Sequence, residues 1–169
     1  MTELLITVVA AAFGAFLKWL LPAILEWWRL RQLTSHLLGN WVSHYQGIDE
    51  PIDTWVTETL TFTLDFFRSQ LRIKNADSSR EYDYTAYGEI KNDIHIIGQW
   101  TSKRPGANAH GCFIQTISAQ GNCMYGYWVG PDKTQARRYG RWVIARDESN
   151  IALAKKLVED MRKPYAPYT

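Results

Sequence analysis

Residues 54–66 read TWVTETLTFTLDF, and the fold turns on them. Val56, Leu60, Phe62, Leu64 and Phe66 fall on one side of an extended chain, with Thr57, Thr59, Thr61, Thr63 and Asp65 on the other. A period of two, with β-branched residues on the polar side, marks a strand with one face in a core and one in water. The same parity puts Glu58 among the inward residues near one mouth, where a carboxylate needs a basic partner or a ligand donor.

Similar runs flank this stretch. Strands are expected near Gly39–Gln46, Thr54–Asp65, Phe67–Lys74, Arg80–Ile90, Asp93–Thr101, His110–Ser118, Cys123–Gly130 and Ala136–Arg146. The breaks carry turn chemistry, as in Lys91-Asn92-Asp93, Arg104-Pro105-Gly106 and Gln120-Gly121-Asn122. Eight strands joined almost entirely by hairpins predict an all-β, antiparallel, up-and-down barrel wide enough for side chains or one small ligand. Leu71 and Ile73 are expected inside, as are Tyr82, Tyr84, Ala86 and Gly88, then Ile94, Ile96, Gly98 and Trp100. Alternation also groups Cys112, Ile114, Thr116 and Ser118, and Cys123, Tyr125, Tyr127 and Val129, giving an aromatic, hydroxylated interior. Trp142, Val143 and Ile144 are consecutive and leave the facing of the last run open. Beyond it, Asp147–Ser149 caps a short helix with Ile151, Ala154, Leu157, Val158 and Met161 on one side.

The N-terminus differs in kind. Leu4 to Ile24 is nearly all apolar, and about 21 residues at 1.5 Å rise span roughly 32 Å, the thickness of a bilayer core. Lys18 is the only charge in it and can snorkel beside Trp19, Trp27 and Trp28. A signal peptide is the competing reading, though Met1-Thr2-Glu3 supplies no basic n-region. Arg29 and Arg31 after the span, against Glu3 before it, put the C-terminal domain in the cytoplasm. Ala10, Ala11, Ala12, Gly14 and Ala15 form a small-residue zone suited to close helix approach. The expected organisation is 1–37 as transmembrane helix and stub, 38–146 as barrel and 147–169 as C-terminal helix and tail.

A net charge of +2 is too mild for a duplex nucleic-acid binder living on counterion release. Cys112 and Cys123 read as reduced thiols of a cytosolic domain, with a cross-strand disulfide as the alternative. They have no metal-ligand companions at the usual spacings. His36, His44, His95 and His110 are scattered, no serine sits in a nucleophile elbow, and no glycine-rich phosphate loop precedes a helix. The pattern therefore predicts a non-enzyme without metal or cofactor. Aromatic residues make up 14% of the chain, including eight Trp and nine Tyr, so flat stacking faces are plentiful. Tyr82, Tyr84, Trp100, Tyr125 and Tyr127 would turn such faces to the lumen beside Thr116, with Lys103, Arg104, Lys133, Arg137 and Arg138 near strand ends. Together these suit a ligand carrying bases and phosphates. The alternative is that the tyrosines simply fill the barrel and the arginines are solvated.

Leu38-Gly39-Asn40-Trp41, with Trp142 and a helix at the far end, resembles the lipocalin-type barrel and its Gly-x-Trp first strand. A cytosolic barrel directly after a membrane segment also resembles bacterial antiphage effectors of the CBASS type, and the related Panoptes-type effectors. That resemblance implies a cyclic di- or oligonucleotide ligand made by a partner nucleotidyltransferase, homo-oligomerisation through the helix, and damage to the bacterial inner membrane. Such effectors usually carry two transmembrane helices, whereas the residues before the barrel here admit one. A tethered barrel holding an apolar small molecule, and a barrel that docks a partner protein, are the other readings.

Overall fold

The computed structural model describes residues 2–47, 54–75, 83–103, 109–131 and 136–161, with side chains described from Phe13 onward. The chain divides into two compact units, 1–35 and 36–169.

The first unit is one helix, α1 (Thr2–Thr34). Pro22 lies inside it and, lacking an N–H, leaves the carbonyl of Lys18 without its helical donor. The Glu26–Arg29 ion pair at 2.8 Å and the Arg31 guanidinium over Trp27 lie in the polar second half. Among the described residues no helix is long and apolar enough to cross a membrane. The first part of the expected span, Leu4 to Ala12, lies outside the described side chains.

The second unit is a closed antiparallel barrel of eight strands joined in chain order. They are β1 (Gly39–Gln46), β2 (Trp55–Asp65), β3 (Gln70–Asn75), β4 (Tyr84–Lys91), β5 (His95–Ser102), β6 (His110–Ile117), β7 (Cys123–Pro131) and β8 (Arg137–Ala145). Pairing of Val42–Tyr45 with Trp142–Ala145 closes the circle. Among the described residues no sheet edge is left to recruit another chain. A short 3₁₀ turn, Glu148–Asn150, leads into α2 (Ile151–Asp160), and the Asp147 side chain caps the turn by accepting from the Asn150 N–H.

Two apolar clusters follow from this geometry. Inside lie Leu37, Trp41, Leu60, Phe62, Leu71, Ile73, Ile96, Phe113, Met124, Trp128, Trp142 and Ile144. Outside, α2 buries Ile151, Ala154 and Val158 against Cys123, Val143 and Ala145. The alternation of β2 to β5 places residues as the sequence predicts, with two exceptions. Phe66 and Ile94 fall in turns and are exposed.

The facing of β6 and β7 is the reverse of the one expected. Phe113, Gln115 and Ile117 point inward from β6, and Met124 and Trp128 from β7, with Gly126 and Gly130 on the same parity. Cys112 and Ile114 are exposed, Thr116 shares their outer face, and Cys123, Tyr125 and Tyr127 pack beneath α2. On β7 the cause is α2, which covers the outer wall so that both strand faces are apolar; on β6, Cys112 and Ile114 on the exposed face are as apolar as Phe113 and Ile117 inside, and alternation no longer tells inside from outside. Cys112 and Cys123 are free thiols.

Candidate functional site

The two ends of the barrel differ. At one end the connections are short, spanning 66–69, 92–94 and 118–122, with Asn92 and Asp93 both at positive φ in the tight β4–β5 hairpin. The same end is sealed. Leu37 and Trp41 are buried in the lumen, and the Trp41 indole donates to the Leu37 carbonyl at 2.7 Å. The Arg146 guanidinium lies 3.9 Å over the Trp41 ring and donates to the carbonyls of His36, Leu38 and Asn40.

At the other end the longer connections 47–54, 76–83, 103–109 and 132–136 gather, and much of each lies outside the described residues. Strand direction brings the starts of β2, β4, β6 and β8 here, with the ends of β1, β3, β5 and β7. Tyr84 and Trp100 are on the inward face at this rim. Arg138 shares the inward parity of Gly140 and Trp142, while Arg137 takes the outward parity, and both side chains are exposed. Lys103 is also at the rim, where its ammonium pairs with Asp83 at 2.6 Å. Tyr82 and Arg104 lie outside the described residues.

Thr116, Tyr125 and Tyr127 are not part of this mouth. The Thr116 hydroxyl meets the His95 ring on the outer wall at 3.2 Å. The Tyr127 hydroxyl donates to the Val158 carbonyl of α2 at 3.3 Å. Tyr125 packs in the same cluster beneath α2.

Below the rim is a polar network. Glu58 is 4% exposed, and its Oε1 accepts from the Tyr84 hydroxyl at 2.6 Å and the Ser43 hydroxyl at 3.2 Å. Its Oε2 accepts from the Asn75 amide at 3.4 Å. The Trp142 indole donates to Ser43 at 2.8 Å, and the Gln115 amide donates to the Trp142 carbonyl at 3.2 Å. Burial, then the Glu58 charge, pushes the Tyr84 phenol well above its ordinary pKa, so it stays a donor. Trp100 Nε1 and Gln115 Oε1 are buried without a hydrogen-bond partner among the described residues.

The Trp100 ring rests where glycines leave room. A Cβ on Gly130 would come within 2.3 Å of Trp100 Cζ2, and one on Gly111 within 2.6 Å of its Nε1. Trp128 stands edge-on to Trp100 at 6.4 Å between centroids and donates to the Gln46 carbonyl at 3.1 Å. Sequence reasoning missed Ser43, Asn75, Gln115 and Trp128. The signal for Ser43 was present, because it shares the period-two face of Trp41 and Tyr45. Gly111 and Gly130, small residues on the parity facing Trp100, would have marked the Trp100 seat.

Among the described residues no group of three or more His, Cys, Asp or Glu side chains is gathered to hold a metal ion. The chain matches no protein-family model and no curated protein sequence.

Proposed function

We propose that this chain is a membrane-anchored effector whose lipocalin-like barrel binds a cyclic di- or oligonucleotide at its loop-bearing end, with ligand occupancy controlling self-association of the N-terminal helix. The observation that carries the reading is the convergence of Tyr84, Trp100, Lys103, Arg137 and Arg138 on one end while Trp41 and Arg146 seal the other. An indole and a phenol offer stacking faces, and rim guanidinium and ammonium groups suit phosphates. The Trp100 Nε1 donor, without a hydrogen-bond partner among the described residues, supplies one directional contact.

In this reading a partner nucleotidyltransferase makes the ligand, the apolar run from Leu4 to Ile24 lies in a bacterial inner membrane, and the barrel faces the cytoplasm. Oligomers formed through the Ala10–Ala15 zone disrupt that membrane. Control requires that the ligand bind two assembly states with different affinity, since equal affinity shifts nothing. An apolar ligand held deep in the barrel is less well supported, because large side chains fill the sealed half and a carboxylate network lies beneath the mouth.

The test is isothermal titration of the full chain in detergent against a panel of cyclic di- and trinucleotides, with linear nucleotides as controls. Saturable binding of a cyclic member supports the reading, and no heat across the panel rejects it.

A second reading, a barrel that docks a partner protein, is favoured by one surface. Ile97 pairs with Ile114, and Cys112, Val129 and Tyr139 continue across β6 to β8, all exposed on the outer wall. Protection of these strands from hydrogen exchange by a captured partner, with no nucleotide binding, would favour it.

A further inference from the structure

We infer that the outer face of β2–β4 and the β2–β3 turn form a second membrane contact, one that rests the barrel on an anionic lipid surface. This rests on the membrane-anchored reading above.

The turn holds Phe66 and Phe67 edge-on to one another, and Phe67 is 95% exposed. A phenylalanine so bare at a turn tip contributes little to the fold. Next to it stand three cations. Arg68 lies over the Tyr87 ring at 4.2 Å, Arg72 over the same ring at 5.9 Å, and Lys74 follows Arg72 on the outward face of β3. Their cross-strand neighbours are Thr61, Thr63, Thr85 and Tyr87, none of them acidic.

Among the described residues two carboxylates lie near, and both are engaged. Glu89 is held by Lys91 at 2.6 Å and Gln70 at 3.0 Å, and Asp65 accepts from the Arg68 backbone N–H at 3.1 Å. Among the described residues Arg68, Arg72 and Lys74 form no ion pair. A basic stripe ending in bare aromatic rings matches the two forces that hold a protein on a charged bilayer: attraction to anionic headgroups and burial of apolar area at the acyl boundary. A duplex nucleic acid would satisfy the cations through its phosphates and leave Phe67 in water.

The test uses the full chain with Cys112→Ser, spin-labelled through Ser69→Cys or, separately, through Ala12→Cys. Each is reconstituted in vesicles of pure phosphatidylcholine or of equal parts phosphatidylcholine and phosphatidylglycerol. Collision with oxygen and with a water-soluble nickel chelate then reports depth. The expected result is an interfacial label at position 69 in the anionic vesicles only. That signal should be lost when Arg68, Arg72 and Lys74 are all changed to Gln, or Phe66 and Phe67 to Ser. A water-exposed label at 69 beside a hydrocarbon-buried label at 12 overturns the second contact and leaves the anchor standing. Water-exposed labels at both positions overturn both. Loss of the interfacial signal on adding a single-stranded oligonucleotide would assign the stripe to nucleic acid and overturn the lipid assignment.

Discussion

The Tyr84 hydroxyl donates to Glu58 Oε1 at 2.6 Å from β4 to β2, across the intervening β3. Among the described residues Ser43 of β1 and Asn75 of β3 also donate to this carboxylate, so side chains of three further strands meet on one buried acid. Tyr84→Phe removes the shortest of these bonds, and the expected loss is about 1–3 kcal/mol of unfolding free energy, read by urea denaturation.

Tyr84 also sets an alkaline limit. Its phenol is held well above the ordinary tyrosine value by burial first and by Glu58 second. A folded pKa above the unfolded one gives stability that is complete below the unfolded value, about 10, and is lost as pH rises through the folded value. Unfolding free energy should therefore fall above about pH 10 in the wild type, and fall less in Tyr84→Phe. Equal alkaline slopes for the two proteins would show that Tyr84 is not the group responsible.

Most of this barrel is legible in sequence for a physical reason: β2 to β4 have a solvated outer face, so threonine and charge alternate cleanly with Leu, Ile and Phe. The buried Glu58 follows from that parity alone. On β7 and β8 the argument fails because α2 makes the outer wall a second core, and Tyr125 and Tyr127 have no water-facing partner residues to give them away. The gathering of Tyr84, Trp100 and the rim cations at one end follows from strand direction. The Ser43–Trp142–Gln115 chain joins β1, β8 and β6, and no local spacing announces such a network.

Arg146 makes the seal testable. Arg146→Ala removes the cation over Trp41 and the donors to three backbone carbonyls, an expected cost of about 3 kcal/mol from cation–π and charged hydrogen-bond magnitudes. Arg146→Lys should recover little of it, because an ammonium cannot present the planar fork that reaches several carbonyls while lying on a ring. Thermal unfolding of the three proteins decides, and a lysine variant as stable as the wild type would refute the geometric explanation.

His44 links the outer wall to pH. Its ring nitrogen Nε2 is 3.0 Å from Glu148, yet burial, and then the Lys155 charge, hold its pKa below the ordinary histidine value against the opposing pull of Glu148. A depressed folded pKa gives stability that is present above the unfolded value, about 6.5, and is lost as pH falls through the folded value. The packing of α2 should therefore weaken in acid. Lys155→Gln should raise the midpoint of the His44 ring titration followed by NMR, and an unmoved midpoint would remove Lys155 from the account.

The sharpest test of the mouth compares the two sets of residues that the sequence grouped together and the structure separates. If a base stacks on Trp100, Trp100→Ala should cost about 1–3 kcal/mol of binding, roughly 5-fold to 150-fold in affinity. Gly130→Ala should act in the same direction without touching the ligand, because its Cβ would meet Trp100 Cζ2 at 2.3 Å and Cη2 at 3.0 Å and force the ring from its seat. Thr116→Ala and Tyr125→Phe, on the outer wall, should leave affinity unchanged. Titration of a cyclic nucleotide into all four variants reads the result. Weakening by the outer-wall pair with no effect of Trp100→Ala would move the site from the loop-bearing end to the wall beside α2.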